Sequence, residues 1–269
     1  MFDLPTHSIG EDVPRHLHQT FPTMNVPENF GRQIAALRAR NPDWNYTLYD
    51  NEAVENYIAA AYGQEVLALY HKINPGYGAA RADLFRYLLM YREGGIYLDI
   101  KSGADRPLNE IVSNSAGFLL TQWTRGLGRE TFGVHPELAH CPGGEYQQWQ
   151  ITTVRGHPFL RAVIEHVLNN IAHYSPWRNG TGGNGTYRVT GPIAYTLAIQ
   201  PLLSLYDHRI ATDAEAGLIY NATASSHKPS FSGHYLKRTD AIVSPRNLTS
   251  RLSAGAYTAL QITRRVLRD

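Results

Sequence analysis

The chain has 269 residues, 43% of them apolar, and 25 Lys and Arg against 23 Asp and Glu, for a net charge of +2. That length can bury one substantial α/β core with loops, and the near-balance of charge excludes nucleic-acid binding driven by net charge. No apolar run approaches the roughly 20 residues a bilayer span needs.

From the amino end, MFDLPTHSIGEDVPRHL has no basic start followed by an apolar stretch, so no secretory signal is expected. The one cysteine, Cys141, cannot form an internal disulfide and points to a reducing compartment. The expectation is a cytoplasmic protein. Asn-x-Thr triplets at Asn45, Asn179, Asn184, Asn221 and Asn247 would matter only in a secretory lumen and are read as chance.

Residues 13–21, VPRHLHQTF, read as a first strand ended by Pro22. Phe21 closes it; His16 and His18 read as strand residues rather than metal ligands. Residues 28–40 carry Phe30, Ile34 and Leu37 at helical spacing and stop at Asn41-Pro42. A second strand is predicted at 44–49, a cap at Asp50-Asn51, and a helix over 52–71 with Val54, Tyr57, Ile58, Val66, Leu67 and Tyr70 as apolar positions. Right-handed crossovers would set these strands parallel in one sheet.

The stretch 74–108, NPGYGAARADLFRYLLMYREGGIYLDIKSGADRPL, holds the densest set of chemical groups. A helix should open at Asn74-Pro75 or at the Gly76/Gly78 pair and end at Gly94-Gly95, which tolerate left-handed backbone. Leu84, Phe85, Leu88 and Leu89 form its buried stripe, while Asp83 and Arg86, three apart, share another face. Residues 96–100 then read as a strand delivering Tyr97 and Asp99 to the polar turn Lys101-Ser102-Gly103. An Asp at the carboxyl end of a strand stands where open α/β sheets bind ligands. Asp105 reads as a turn cap, with a second carboxylate for Asp99 as the alternative.

Beyond it, residues 118–120 look like a strand and 124–144 a loop over the site; His135 and His140 there have no partner at metal-ligand spacing. Residues 147–159 supply a further strand, with Pro158 opening a helix over 160–171. The run 179–186, NGTGGNGT, reads as a mobile lid or acceptor loop, or as plain surface loop. Val189-Thr190-Gly191-Pro192 precedes another helix, whose start presents amide donors to an anion. Phe231 to Tyr235 include His234, which read alone is an exposed loop histidine. Residues 251–268 form a basic helix, either packed on the domain or in peripheral contact with anionic lipid.

The run ARADLFRYLLMYREGGIYLDIKSGADRPL resembles the core of the DXD-containing, sugar-binding glycosyltransferases of family 32, the group of yeast-type mannosyltransferases, and more distantly the glucosylating bacterial toxins. The helix Asp and Arg, the Gly-Gly pair and the Ile-Tyr-Leu-Asp strand stand in that family's order, with Asp83 and Asp99 sixteen positions apart. The resemblance implies a single α/β domain of GT-A architecture: a nucleotide-sugar-binding half at 13–108, an acceptor and closing half at 109–250, and the basic helix at 251–269. It also implies hexose transfer, with retention, from a nucleotide-diphosphate sugar to a glycan, lipid or protein.

By that resemblance Asp83, Arg86, Asp99 and Lys101 are the candidate catalytic residues, Arg86 gripping sugar or phosphate with its fork of N–H groups. Phe21, Thr20, Tyr97, Gly191 and Tyr235 are candidate donor-binding residues, and Asp99 with His234 candidate ligands for Mn2+ or Mg2+. One departure is visible: the motif reads Asp99-Ile100-Lys101, with a base in place of the second carboxylate. Weak metal binding, a lysine that itself neutralises the diphosphate, and a non-catalytic module that only binds a nucleotide sugar or glycan are all consistent with that change.

Overall fold

A computed structural model describes residues 2–113, 115–126, 128–223, 235–245 and 248–266. The chain opens as βαβ: β1 (His16–Thr20), α1 (Glu28–Arg40) and β2 (Asn45–Tyr49). Phe30, Ile34 and Leu37, four and three residues apart, form the buried line of α1. Next comes α2 (Asn51–Lys72), capped by the Asp50 carboxylate, which accepts from the Ala53 amide at 2.9 Å. The helix expected to be continuous breaks at Gly63, whose φ of 77° and ψ of 178° are not helical.

Then come α3 (Gly78–Glu93), β3 (Gly95–Leu98), β4 (Gly103–Ala104), α4 (Leu108–Ser113), β5 (Phe118–Gln122) and β6 (Gln150–Thr153). The chain continues through α5 (Pro158–Ala172), α6 (Pro176–Asn179), α7 (Gly182–Val189), α8 (Pro192–Ile199), β7 (Arg209–Thr212), α9 (Asp213–Ala216), β8 (Leu218–Ile219) and α10 (Leu248–Val266).

The main sheet has the order β2-β1-β3-β6-β5-β7, and β4 pairs with β8 in a small second sheet. As expected, β1 runs parallel to both β2 and β3. The sequence had not signalled that β6 is antiparallel to both its neighbours. Residues alternate between two cores across this sheet. Tyr97, Phe118, Leu120 and Ile151 face one core with α2, α3, α5 and α8, while Ile96, Leu98 and Leu119 face the other with Leu37 of α1 and Leu108 of α4.

The two glycines that close α3 are required. Both have positive φ (68° and 94°), and a Cβ on Gly95 would lie 2.5 Å from the His16 carbonyl oxygen. They turn α3 sharply enough to lay β3 against β1.

The glycine-rich run is not the expected loop. Its second part is α7, where Gly182, Gly183 and Gly185 are buried. Cβ atoms on Gly183 and Gly185 would lie 2.5 Å from Leu236 Cδ2 and 2.7 Å from Ile242 Cδ1. Close packing, rather than mobility, accounts for the glycines. The tail helix packs on the body through Trp177, whose indole lies 5.0 Å from the Tyr257 ring and donates to Ser253 Oγ at 3.1 Å.

Candidate active site

The parallel strands β1, β3, β5 and β7 end at one edge of the sheet, and the antiparallel β6 begins there. Parallel pairing aligns His18 with Tyr97, which sets Thr20 and Asp99 at the same level. The Asp99 amide donates to the Trp149 carbonyl at 2.8 Å, holding the residues just before β6 alongside. β3 stops one residue before Asp99, so the carboxylate stands on the turn after the strand.

From α3, Asp83 and Arg86 reach the same edge. Arg86 Nη2 lies 3.3 Å from Asp83 Oδ1 and 3.0 Å from Asp99 Oδ1. Arg86 Nη1 donates to both the carbonyl and the side-chain oxygen of Gln148 at 2.7 Å, and Nε donates to the Ala82 carbonyl at 3.3 Å. All five N–H groups of a guanidinium thus have acceptors within the protein. The guanidinium also lies 4.7 Å from the centre of the Tyr97 ring. The Arg86 fork, expected to grip sugar or phosphate, is filled in this structure by Asp83, Asp99, Gln148 and Ala82.

Burial grades these groups. The Asp83 and Arg86 side chains are each 4% exposed, and that of Asp99 is 25% exposed. Burial pushes the Asp83 carboxyl up to about 6, against the opposing pull of Arg86 and of Thr190, whose hydroxyl donates to Asp83 Oδ2 at 2.9 Å. Burial works against the Arg86 charge too, but Asp99, then Tyr97 and Asp83, outweigh it and its pKa is raised. Asp83 and Arg86 are thus a buried floor, and Asp99 is the group presented at the surface.

The other expected donor-binding residues fall around this floor. The Thr20 hydroxyl and the Tyr97 phenol are hydrogen-bonded at 2.8 Å, and burial raises the Tyr97 pKa well above its usual value. Phe21 is partly exposed just past β1 and packs on Phe30 with ring centres 5.7 Å apart. Gly191 caps α8 and must be glycine, since a Cβ would lie 2.9 Å from the Tyr187 Cα. The Tyr235 side chain and all of His234 lie outside the described residues.

Several residues of this edge were not anticipated. Gln148 lies in a stretch read from sequence only as strand, and Thr190 in a run read only as preceding a helix. Gln19 donates to the Asp99 carbonyl at 3.2 Å. Lys101 donates to the Tyr220 hydroxyl at 2.7 Å, with Nζ 3.9 Å from the centre of that ring. Further along, buried Asp213 accepts from the amide and hydroxyl of Thr124 and pairs with Arg129 at 3.0 Å. His135 is paired with Glu145 at 2.7 Å. No local pattern in the sequence links these pairs.

The DXD-containing glycosyltransferases that the chain resembles generally use a divalent metal, and the donor set among the described residues does not fit one. Asp99 is paired with Arg86, Lys101 replaces the second carboxylate, and the Asp105 carboxylate is held by Arg106 at 2.8 Å. Among the described residues no three His, Cys, Asp or Glu side chains are grouped to hold a metal. Two surface clefts of about 410 and 420 Å³ lie along α1 and beside His157, and neither is lined by Asp83, Arg86, Asp99 or Lys101.

Residues 27–118 match the family model described as a glycosyltransferase sugar-binding region containing DXD motif, a span that includes α3, β3 and the Asp99 turn. Over this span the chain is similar to that sugar-binding region. Curated relatives extend the likeness beyond that span. The chain is 31% identical over 166 residues to inositol phosphoceramide mannosyltransferase 2 of Schizosaccharomyces pombe, covering 61% of this chain and 41% of that protein. It is 29% identical over 169 residues to the initiation-specific alpha-1,6-mannosyltransferase of Candida albicans, covering 60% and 44%. The chain spans less than half the length of these relatives. Among solved structures, the UDP-bound glycosyltransferase domain of the YGT toxin superposes with a TM-score of 0.49 at 10% identity, covering 81% of this chain and 83% of that one. Within the matched span, Lys101 stands two residues after Asp99, where a DXD motif has its second acid.

Proposed function

We propose that this protein is a retaining glycosyltransferase of GT-A architecture that moves a hexose from a nucleotide-diphosphate sugar to a glycan or lipid acceptor. The observation that carries this is the convergence of Asp83, Arg86 and Asp99 at the carboxyl edge of the sheet, within the region that matches the sugar-binding family. The relatives' names carry mannosyl transfer, onto inositol phosphoceramide in several cases. A hexosyl donor and a glycan or lipid acceptor are the corresponding reading for this chain.

Departure of the leaving group builds negative charge on the nucleotide diphosphate and positive charge at the anomeric carbon. Fixed groups aimed at those charges lower the barrier without reorganising as the bond breaks. In this proposal Asp99 faces the donor and Arg86 is the positioning residue that fixes its carboxylate. Asp83 and Thr190 in turn fix Arg86 from beneath. Phe21, at the end of β1, supplies a ring beside the nucleobase; stacking of this kind is worth roughly 1–3 kcal/mol per base. No step here is routed through a metal.

The peripheral membrane contact considered for the tail is also a proposal, and α10 supports it. Leu252 and Ile262 are 67% and 50% exposed, Ala256 and Ala259 lie exposed between them, and the helix contains arginine but no acidic residue. No helix among the described residues is long and apolar enough to cross a membrane.

Donor hydrolysis tests the central proposal. The chain is incubated for hours with UDP- and GDP-hexoses, with manganese and with chelator, and released nucleotide and sugar are measured. Release from one donor, with the free sugar first appearing in the donor's anomeric configuration, is expected. Every donor remaining intact in both buffers, with binding retained, would instead establish a non-catalytic nucleotide-sugar module.

A further inference from the structure

We infer that Lys101, seated on Tyr220, takes the place of a divalent cation at the donor diphosphate, so that this protein binds its nucleotide without metal. This rests on the donor-site reading above and adds the identity of the charge that answers the diphosphate.

Three observations lead there. The first is formal charge: a two-carboxylate motif carries −2, whereas Asp99 with Lys101 carries zero. A dication there would face an ammonium two residues from its one carboxylate, and that carboxylate is already paired with Arg86 at 3.0 Å. A hard cation that takes about six oxygen ligands has little to hold at such a site.

The second is that Lys101 is built in place rather than left as a surface side chain. Its Nζ donates to the Tyr220 hydroxyl at 2.7 Å and lies 3.9 Å from the ring centre. The backbone around the pair is stitched together: the Ser102 amide donates to the Asp99 carbonyl, the Ser102 hydroxyl to the Tyr220 carbonyl, and the Ala222 amide to the Lys101 carbonyl, each at 2.8 Å. The turn bearing Asp99 and Lys101 and the segment bearing Tyr220 move as one piece.

The third is that the ammonium is not neutralised. Among the described residues no carboxylate pairs with Lys101. A phenol and a ring face orient the charge without cancelling it, which leaves two of its three N–H groups for an anion. A lysine serving only stability at this turn would be expected to pair with an acid; this one is held by groups that preserve its charge for a ligand. Tyr220 is thus a positioning residue acting through Lys101.

Titration calorimetry with UDP and with GDP, in EDTA and in manganese, tests the inference on the whole chain. The nucleotide that binds is expected to do so with dissociation constants within about threefold in the two buffers. Lys101→Ala should weaken binding about 10- to 100-fold in EDTA, the loss of one charge-assisted contact. Lys101→Asp, which restores two carboxylates, should bind only with manganese. Tyr220→Phe should weaken binding in the native background and have no further effect in Lys101→Ala, a coupling that a purely structural role would not produce. Wild-type binding that requires manganese overturns the inference while leaving the glycosyltransferase reading standing, as does undiminished binding by Lys101→Ala. Failure of both nucleotides to bind in both buffers overturns the two together.

Discussion

The hydroxyl of Thr190 donates to Asp83 across 107 positions of sequence, at 2.9 Å and out of reach of solvent. That bond and Arg86 are what keep a carboxylate ionised where burial alone would protonate it. It gives the site a pH dependence with a definite sign. The Asp83 pKa moves from 3.8 to about 6 on folding, so donor affinity and turnover should fall as pH drops through about 6. Thr190→Val removes a bond that lowers this pKa, so its acid limb should lie at higher pH. A pH series of donor affinity for the two proteins checks the order of the limbs.

The same shift bears on stability in the opposite sense from a salt-bridged surface acid. Between the two pKa values the folded chain binds a proton that the unfolded chain has released. The contribution of Asp83 is therefore complete at low pH and is lost as pH rises through about 6. Urea midpoints between pH 4 and 7, compared with those of Asp83→Asn, should show a falling component in the parent that is missing from the variant.

Arg86→Lys keeps the charge and loses the fork. A lysine has three donors, so it cannot serve Asp83, Asp99, both oxygens of Gln148 and the Ala82 carbonyl together. Leaving buried acceptors unmet costs about 1–3 kcal/mol, so this variant should unfold at lower urea as well as binding donor more weakly. A loss of affinity with an unchanged unfolding midpoint would contradict the positioning role.

Asp99→Asn preserves shape and removes the charge that, in the proposed function, faces the donor. Turnover should fall by about 10²–10³, the usual effect of losing one electrostatic stabiliser, while the fold persists because Asp99 is the most exposed of the three groups. Rate and circular dichroism of the same preparation separate the two effects.

Gly185→Ala sets intrinsic propensity against packing. Alanine favours a helix by about 1 kcal/mol over glycine, but a Cβ here would lie 2.7 Å from both the Gly180 carbonyl carbon and Ile242 Cδ1. The clash should win, costing about 1–3 kcal/mol, and a urea titration gives the sign directly.

What the sequence disclosed follows from how far apart the cooperating residues are. Asp83 and Arg86 share a helix face, and Asp99 stands just past the strand that follows, so local periodicity and one turn sufficed to bring them to notice. The bounds of α1 were legible for the same reason: Phe30, Ile34 and Leu37 lie within one element. Thr190 and Tyr220 meet their partners from more than 100 positions away, where no spacing rule reaches. The glycine-rich run misled because composition reports freedom in the unfolded chain, while the buried contacts of Gly183 and Gly185 exist only in the fold. The filled Arg86 fork was equally invisible, since three of its five bonds end on Gln148 and Asp99, outside its own helix.

The Thr121 carbonyl accepts from the Gln147 amide at 2.7 Å, so the excursion between β5 and β6 departs from and returns to a single point on the sheet. Because β6 runs against its neighbours, that point is the edge carrying Asp99. Beyond that base the excursion is also held by packing, since Leu138 and Cys141 lie against Ile193 and Glu137 pairs with Arg188. Lengthening it between those anchors costs little, since closure entropy grows only logarithmically with length.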